Sequence, residues 1–255
     1  MSLRLIVCAA LLAALAGCAT DVRDHPATGR AQIVLQNPAL NPRNGGVLVD
    51  AASLQPGDIL LSSADGITSA GIRLLTLSPV SHASIYIGGQ KVAEAVGEGI
   101  RQRTVEELLA EESTVVAFRH PGVSPEHASR MQAFAREQTG SRYNVMGVML
   151  QAPFSIERRL CELPLLPSPL RDFCVQGVAA VQLGLGSNDR FFCSQFVLEA
   201  YRRAGLPLTD ADPRMISPGD LMHMREGDVP SVRTHQALHY LGHLKFQPAV
   251  AAARL

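Results

Sequence analysis

The stretch SHASIYIGGQKVAEAV, Ser81 to Val96, limits this chain's fold more than any other. Val80 to Ile87 and Lys91 to Val96 are β-rich runs broken by Gly88-Gly89, a hairpin signal. His82, Ser84 and Tyr86 share one face of the first strand, and Ala83, Ile85 and Ile87 share the other. The polar face is expected to border a cleft containing His82; the plainer alternative is a half-exposed edge histidine. Loop parity decides where Glu94 goes. A two-residue Gly88-Gly89 turn opposes Ala83 to Glu94 and sends the carboxylate to the wrong side. A three-residue loop through Gln90, with a glycine in the left-handed region, opposes Ser84 to Glu94 and brings it diagonal to His82. The second register is expected, with Glu98 as the substitute carboxylate further along.

DRFFCSQFVLEAYRRAGLPL, Asp189 to Leu208, reads as an amphipathic helix. Phe196, Val197, Ala200 and Ala204 recur at helical spacing, and Arg202-Arg203, Gly205 and Pro207 form its stop. Cys193 falls in the first turn. Free cysteine is often a small buried hydrophobe. At a helix start, however, the positive end of the macrodipole favours the thiolate and makes a nucleophile.

The chain begins MSLRLIVCAALLAALAGCATD. One arginine precedes an apolar run from Leu5 to Leu15, too short to span a bilayer and ending in small residues, as a secretory signal does. Leu15-Ala16-Gly17-Cys18 resembles the bacterial lipobox, which makes Cys18 the lipidated mature N-terminus. The expected layout is a signal peptide over 1–17, a lipidated tether over 18–47, a main domain over 48–230 with an apolar insertion at about 150–186, and a C-terminal extension over 231–255. Ala19 after the anchor favours the periplasmic face of the outer membrane.

With the signal and the anchor set aside, Cys161, Cys174 and Cys193 remain, an odd count for an oxidising compartment. Cys161 and Cys174 flank a Pro/Leu-rich loop that they either close as a disulfide or line as two buried thiols. Basic and acidic residues balance at 23 each with no basic run, which argues against a nucleic-acid partner. His235, His239 and His243 have metal-like spacing only if helical, and Gly242 and the lack of nearby acidic ligands weigh against a metal. His120 and His127 read as loop and helix-surface residues. No cofactor or stable oligomer is expected.

GDIL at Gly57, the serine-histidine strand ending IYIG, EAV at Glu94, and the FCSQFVLEAY helix occur in an order that resembles the permuted papain-like amidases of the YaeF/YiiX type. These are relatives of NlpC-type cell-wall hydrolases and of lecithin:retinol acyltransferases. The resemblance runs from about Gly57 to Leu221. It implies an α+β, circularly permuted papain-like fold, with an antiparallel sheet or small barrel packed against the cysteine-bearing helix. It also implies Cys193 as nucleophile, His82 as base and Glu94 as the orienting residue. The expected activity is a cysteine hydrolase of the amidase or peptidase class, acting on a cell-wall peptide or an N-acyl or lipid substrate. A lipid acyltransferase or thioesterase-like enzyme and a non-catalytic binding lipoprotein are the alternatives.

Overall fold

The computed structural model describes residues 19–25, 28–37, 46–66, 69–70, 73, 78–141, 161, 170, 174 and 192–246. Most of the expected apolar insertion lies outside these residues.

Eight strands and four α-helices occur among the described residues. Strands β1 (Thr20–Asp24) and β2 (Ala31–Leu35) form a separate hairpin. The main sheet comprises β3 (Ile59–Ser63), β4 (His82–Gly88), β5 (Lys91–Val96), β6 (Gly99–Thr104), β7 (Thr114–Arg119) and β8 (His239–Phe246), in the spatial order β6-β5-β4-β3-β7-β8. Every pairing in it is antiparallel. Among the described residues the sheet is open, with β6 and β8 at its edges.

Both faces of the sheet are covered. Ile59, Leu61, Ala83, Ile85, Ala93, Val116 and Phe118 point into the larger core, beneath α2 (Pro125–Gln138), α3 (Cys193–Ala204) and α4 (Pro218–His223). Leu60, Tyr86, Val92, Val115 and Ala117 point the other way, into a smaller core closed by α1 (Val105–Glu111) through Val105 and Leu108. Central strand β3 is buried along its whole length for this reason, and its sequence ILLSS has no solvent-facing alternation.

The β4–β5 connection has the expected register by a different route. Ser84 opposes Glu94, but the loop is a two-residue Gly89-Gln90 turn preceded by a bulge between Tyr86 and Gly88. Gly88, Gly89 and Gln90 all have positive φ, at 83°, 59° and 58°. Adjacent left-handed residues make the kind of turn that matches strand twist, and the bulge supplies the extra residue that restores parity.

Helix α3 is the pillar of the larger core. It ends where the sequence indicates, at Gly205 with φ 87°. Tyr201 is fully buried within it and donates from Oη to the Gly57 carbonyl at 2.6 Å, tying α3 to the turn that starts β3. Tyr201→Phe leaves that carbonyl without its donor and is expected to cost about 1–2 kcal/mol of unfolding free energy, measured by denaturant titration.

Two sequence expectations need correction. The segment after residue 230 is not an appendage, because it supplies edge strand β8 to the main sheet. Two register shifts along β7–β8 interrupt the alternation that would have revealed a strand. Ser217 and Asp220 form a capping box that starts α4, with Ser217 N–H donating to Asp220 Oδ2 at 2.7 Å. The stretch read as an irregular tether contains the β1–β2 hairpin, which docks on the body. Arg23 Nη2 donates to the Asp228 carbonyl at 2.7 Å and Gln36 Nε2 to the Val229 carbonyl at 2.9 Å. Its inward contacts are polar, so no hydrophobic period marked it.

Candidate active site

Cys193 is the first residue of α3 and is buried. The residue before it, Phe192, has no side chain that can cap the helix, so the first turn has no side-chain N-cap. Cys193 is the free cysteine among the described residues; Cys161 and Cys174 are joined in a disulfide. Cys161 is fully buried in the larger core with Phe196 and Tyr201, so the bridge pins two points of the insertion beside α3.

His82 is the first residue of β4. By strand parity its side chain belongs to the α1 face, yet its ring interacts electrostatically with the thiol of Cys193 at the start of α3. Its position at the strand's beginning, at the end of the sheet, is what lets one ring serve both sides. The expected polar cleft does not continue along this face. Ser84 and Tyr86 are buried, and Tyr86 packs in the smaller core.

Nε2–H of His82 donates to Glu94 Oε2 at 2.8 Å, which leaves Nδ1 for the sulfur. Glu94 is fully buried and carries the negative charge that fixes this tautomer. Glu98, the substitute, is exposed in the turn between β5 and β6. The structure therefore brings Cys193, His82 and Glu94 together and leaves Glu98 apart.

The sequence reading missed how Glu94 is held. Arg101 Nε donates to Glu94 Oε1 at 2.8 Å, and Arg103 Nη2 donates to Oε2 at 3.0 Å. Arg103 Nε also lies 2.8 Å from Oε1 as an ion-pair contact without hydrogen-bond alignment. Arg103 is itself buried and reaches Glu111 on α1. The signal was legible: in the β5–β6 ladder Arg101 directly opposes Glu94, and Arg103 is two residues on, on the same face.

These contacts set the charge states. Burial alone would push the His82 ring down, but its interactions with Cys193 and Glu94 outweigh that and raise it to about 10. Burial alone would raise Glu94, but the His82 hydrogen bond and charge, with Arg103 and Arg101, hold it down at about 2. A raised histidine contributes stability that is complete below its unfolded value near 6.5 and is lost as pH rises through about 10. A depressed carboxylate contributes stability that is complete above 4.5 and is lost as pH falls through about 2. Both contributions are complete between about pH 4.5 and 6.5.

The remaining histidines do other work. His120 lies in the loop just after β7, as expected, but is buried there, and its ring centroid lies 5.9 Å from that of Tyr201. His127 accepts at Nδ1 from the Ser124 N–H at the start of α2. His239 and His243 lie on β8, with His235 before it, so the four-residue spacing does not share a helical face. Among the described residues no group of three or more His, Cys, Asp or Glu is placed to hold a metal ion.

A thiol at a helix start, an imidazole interacting with it and a buried carboxylate behind the ring form the constellation of a cysteine nucleophile with an oriented base. The sequence profile of the family described as "Permuted papain-like amidase enzyme, YaeF/YiiX, C92 family" matches residues 53–148. The "Probable lipoprotein peptidase YaeF" of Escherichia coli (strain K12) is 40% identical over 200 residues, covering 77% of this chain and 73% of that protein. This chain belongs to the permuted papain-like amidase family of the YaeF/YiiX type. The crystal structure of metalloprotein YiiX from Escherichia coli O157:H7 aligns with a TM-score of 0.43 at 20% identity, over 76% of this chain and 98% of that one.

Proposed function

We propose that this protein is a lipid-anchored envelope hydrolase that cleaves an amide bond of a peptide substrate by thiolate attack. The observation that carries the reading is the single ring of His82, hydrogen-bonded to Glu94 and interacting with the Cys193 thiol. His82 takes the thiol proton, and the Cys193 sulfur attacks the carbonyl carbon. N–H groups of the first turn of α3 stabilise the oxyanion, with no competing side-chain cap. As the tetrahedral intermediate collapses, His82 returns its proton to the leaving amine and an acyl-thioester remains. Water, deprotonated by His82, then releases the acid and restores the thiol. Glu94 holds the ring's tautomer and orientation throughout.

Family membership supports the amidase class, and the relative's name supports a peptide amide and a lipoprotein. With the lipobox at Cys18, it also supports anchoring in the envelope, and Ala19 after the anchor favours the periplasmic face of the outer membrane. Muropeptides and acyl esters offered side by side separate a cell-wall peptide from a lipid substrate, with amide cleavage expected to dominate.

Alkylation by iodoacetamide tests the activated thiol directly. At neutral pH the native protein is expected to react about 10–100 times faster than His82→Ala. Identical rates and pH profiles in the two proteins would end the nucleophile reading. The pH dependence supplies a further check. Turnover is expected to decline on the alkaline side as His82 deprotonates near its raised value of about 10. Glu94→Gln removes one of the interactions that raise the ring, so that limb should move to lower pH. A limb that stays in place would detach Glu94 from the base.

A further inference from the structure

The β1–β2 hairpin is inverted relative to ordinary surface strands. Its body side carries Asp21, Arg23 and Val34, with Gln32 at the exposed end of that face, while its outward side pairs Val22 with Ile33, continues to Leu35 beside the buried Thr20, and ends at the exposed Asp24–Ala31 pair. Those three apolar side chains are 67%, 58% and 63% exposed, among the most exposed large hydrophobics of the described residues. Sheets that face water on one side put their polar residues there, and a contiguous apolar face turned outward marks a contact surface.

The chain itself indicates what covers it. Cys18, the lipobox cysteine, directly precedes Ala19, which is fully buried and accepts the Gln36 N–H at 2.8 Å. The hairpin is then fastened to the body. Asn37 N–H donates to Asp228 Oδ1 at 2.8 Å, and Gln36 reaches both Val229 and Ser231. An acyl anchor on Cys18 would leave no slack before the docked strand, so its bilayer must lie against the hairpin.

We propose that the outward face of this hairpin, Val22, Ile33 and Leu35, rests in the surface of the bilayer that holds the Cys18 anchor. The proposal depends on the lipid-anchor reading above and adds that the hairpin fixes the body against the membrane rather than leaving it on a leash. An apolar face of this kind settles at the headgroup–acyl boundary.

The sequence has no tryptophan, so a single introduced one is an unambiguous reporter. Full chains carrying Ile33→Trp, Leu35→Trp or, as a control on α2, Glu137→Trp are purified with their native processing. Each is placed in phosphatidylethanolamine–phosphatidylglycerol vesicles with or without brominated phosphatidylcholine. Bromolipid is expected to quench the Ile33 and Leu35 reporters about twofold or more and to leave the Glu137 reporter unchanged. Lipid mass on Cys18 with no quenching at either hairpin reporter overturns the membrane face while the anchor stands. Absence of lipid mass removes the anchor and the proposal together. Blue-shifted emission that depends on protein density and not on bromolipid assigns the face to a second copy of the chain and overturns the bilayer.

Discussion

Replacing Cys193 with alanine is expected to lower amide turnover by at least about a thousandfold while unfolding free energy changes little, because the remaining groups can bind substrate but cannot form the acyl-enzyme. The side chain is small and buried at a helix start, and alanine fits the same place. His82→Ala is expected to have a loss of similar size. The informative variant is the double substitution, which should be scarcely worse than either single one, since groups that act as one unit are strongly non-additive. Turnover and denaturant unfolding measured on all three proteins check this. Retained turnover in Cys193→Ala would leave a family member whose chemistry lies elsewhere. Losses that multiply would mean that thiol and ring act in separate steps.

Arg103→Met is expected to have the largest effect on stability, about 2–4 kcal/mol by denaturant titration. Glu94 is fully buried, and Arg103 approaches both of its oxygens from within the fold. Removing one member of a buried ion cluster leaves charge that water cannot reach. The cost stays at or below the usual range because His82 and Arg101 remain bound to the same carboxylate. Arg101, nearly half-exposed, should contribute less when replaced by methionine. The same change at Arg103 removes a charge that holds Glu94 down, so the acid limb of thiol alkylation should move to higher pH. A stable Arg103→Met protein with an unmoved acid limb would make Arg103 a bystander.

The site was more legible than its surroundings. Cys193 could be read from the start of an amphipathic helix, and the His82–Glu94 pairing from hairpin parity. The register arose from a tight turn plus a bulge, a combination that parity alone cannot distinguish from a three-residue loop. Arg101 and Arg103 become legible only when the ladder is extended from β5 to β6, where Gly97-Glu98 marks the next turn and the RQR alternation follows it. The polar face of β4 suggested a cleft because α1, which covers it, packs there through tertiary contacts that strand alternation does not encode. Strand β8 was obscured by its register shifts, and the N-terminal hairpin by its polar inner side. In each of these cases the missing information was which neighbour covers a surface.

The bond between Cys161 and Cys174 has a consequence for how such a nucleophile survives export. In the envelope setting proposed above, oxidants convert thiols to disulfides, and a working thiol in a chain with two other free cysteines would be open to mispairing. Joining the other two to each other removes them as rivals of Cys193. The bridge thereby protects the reagent as well as fastening the insertion: oxidation, the usual enemy of a working thiol, is directed into a harmless partnership elsewhere.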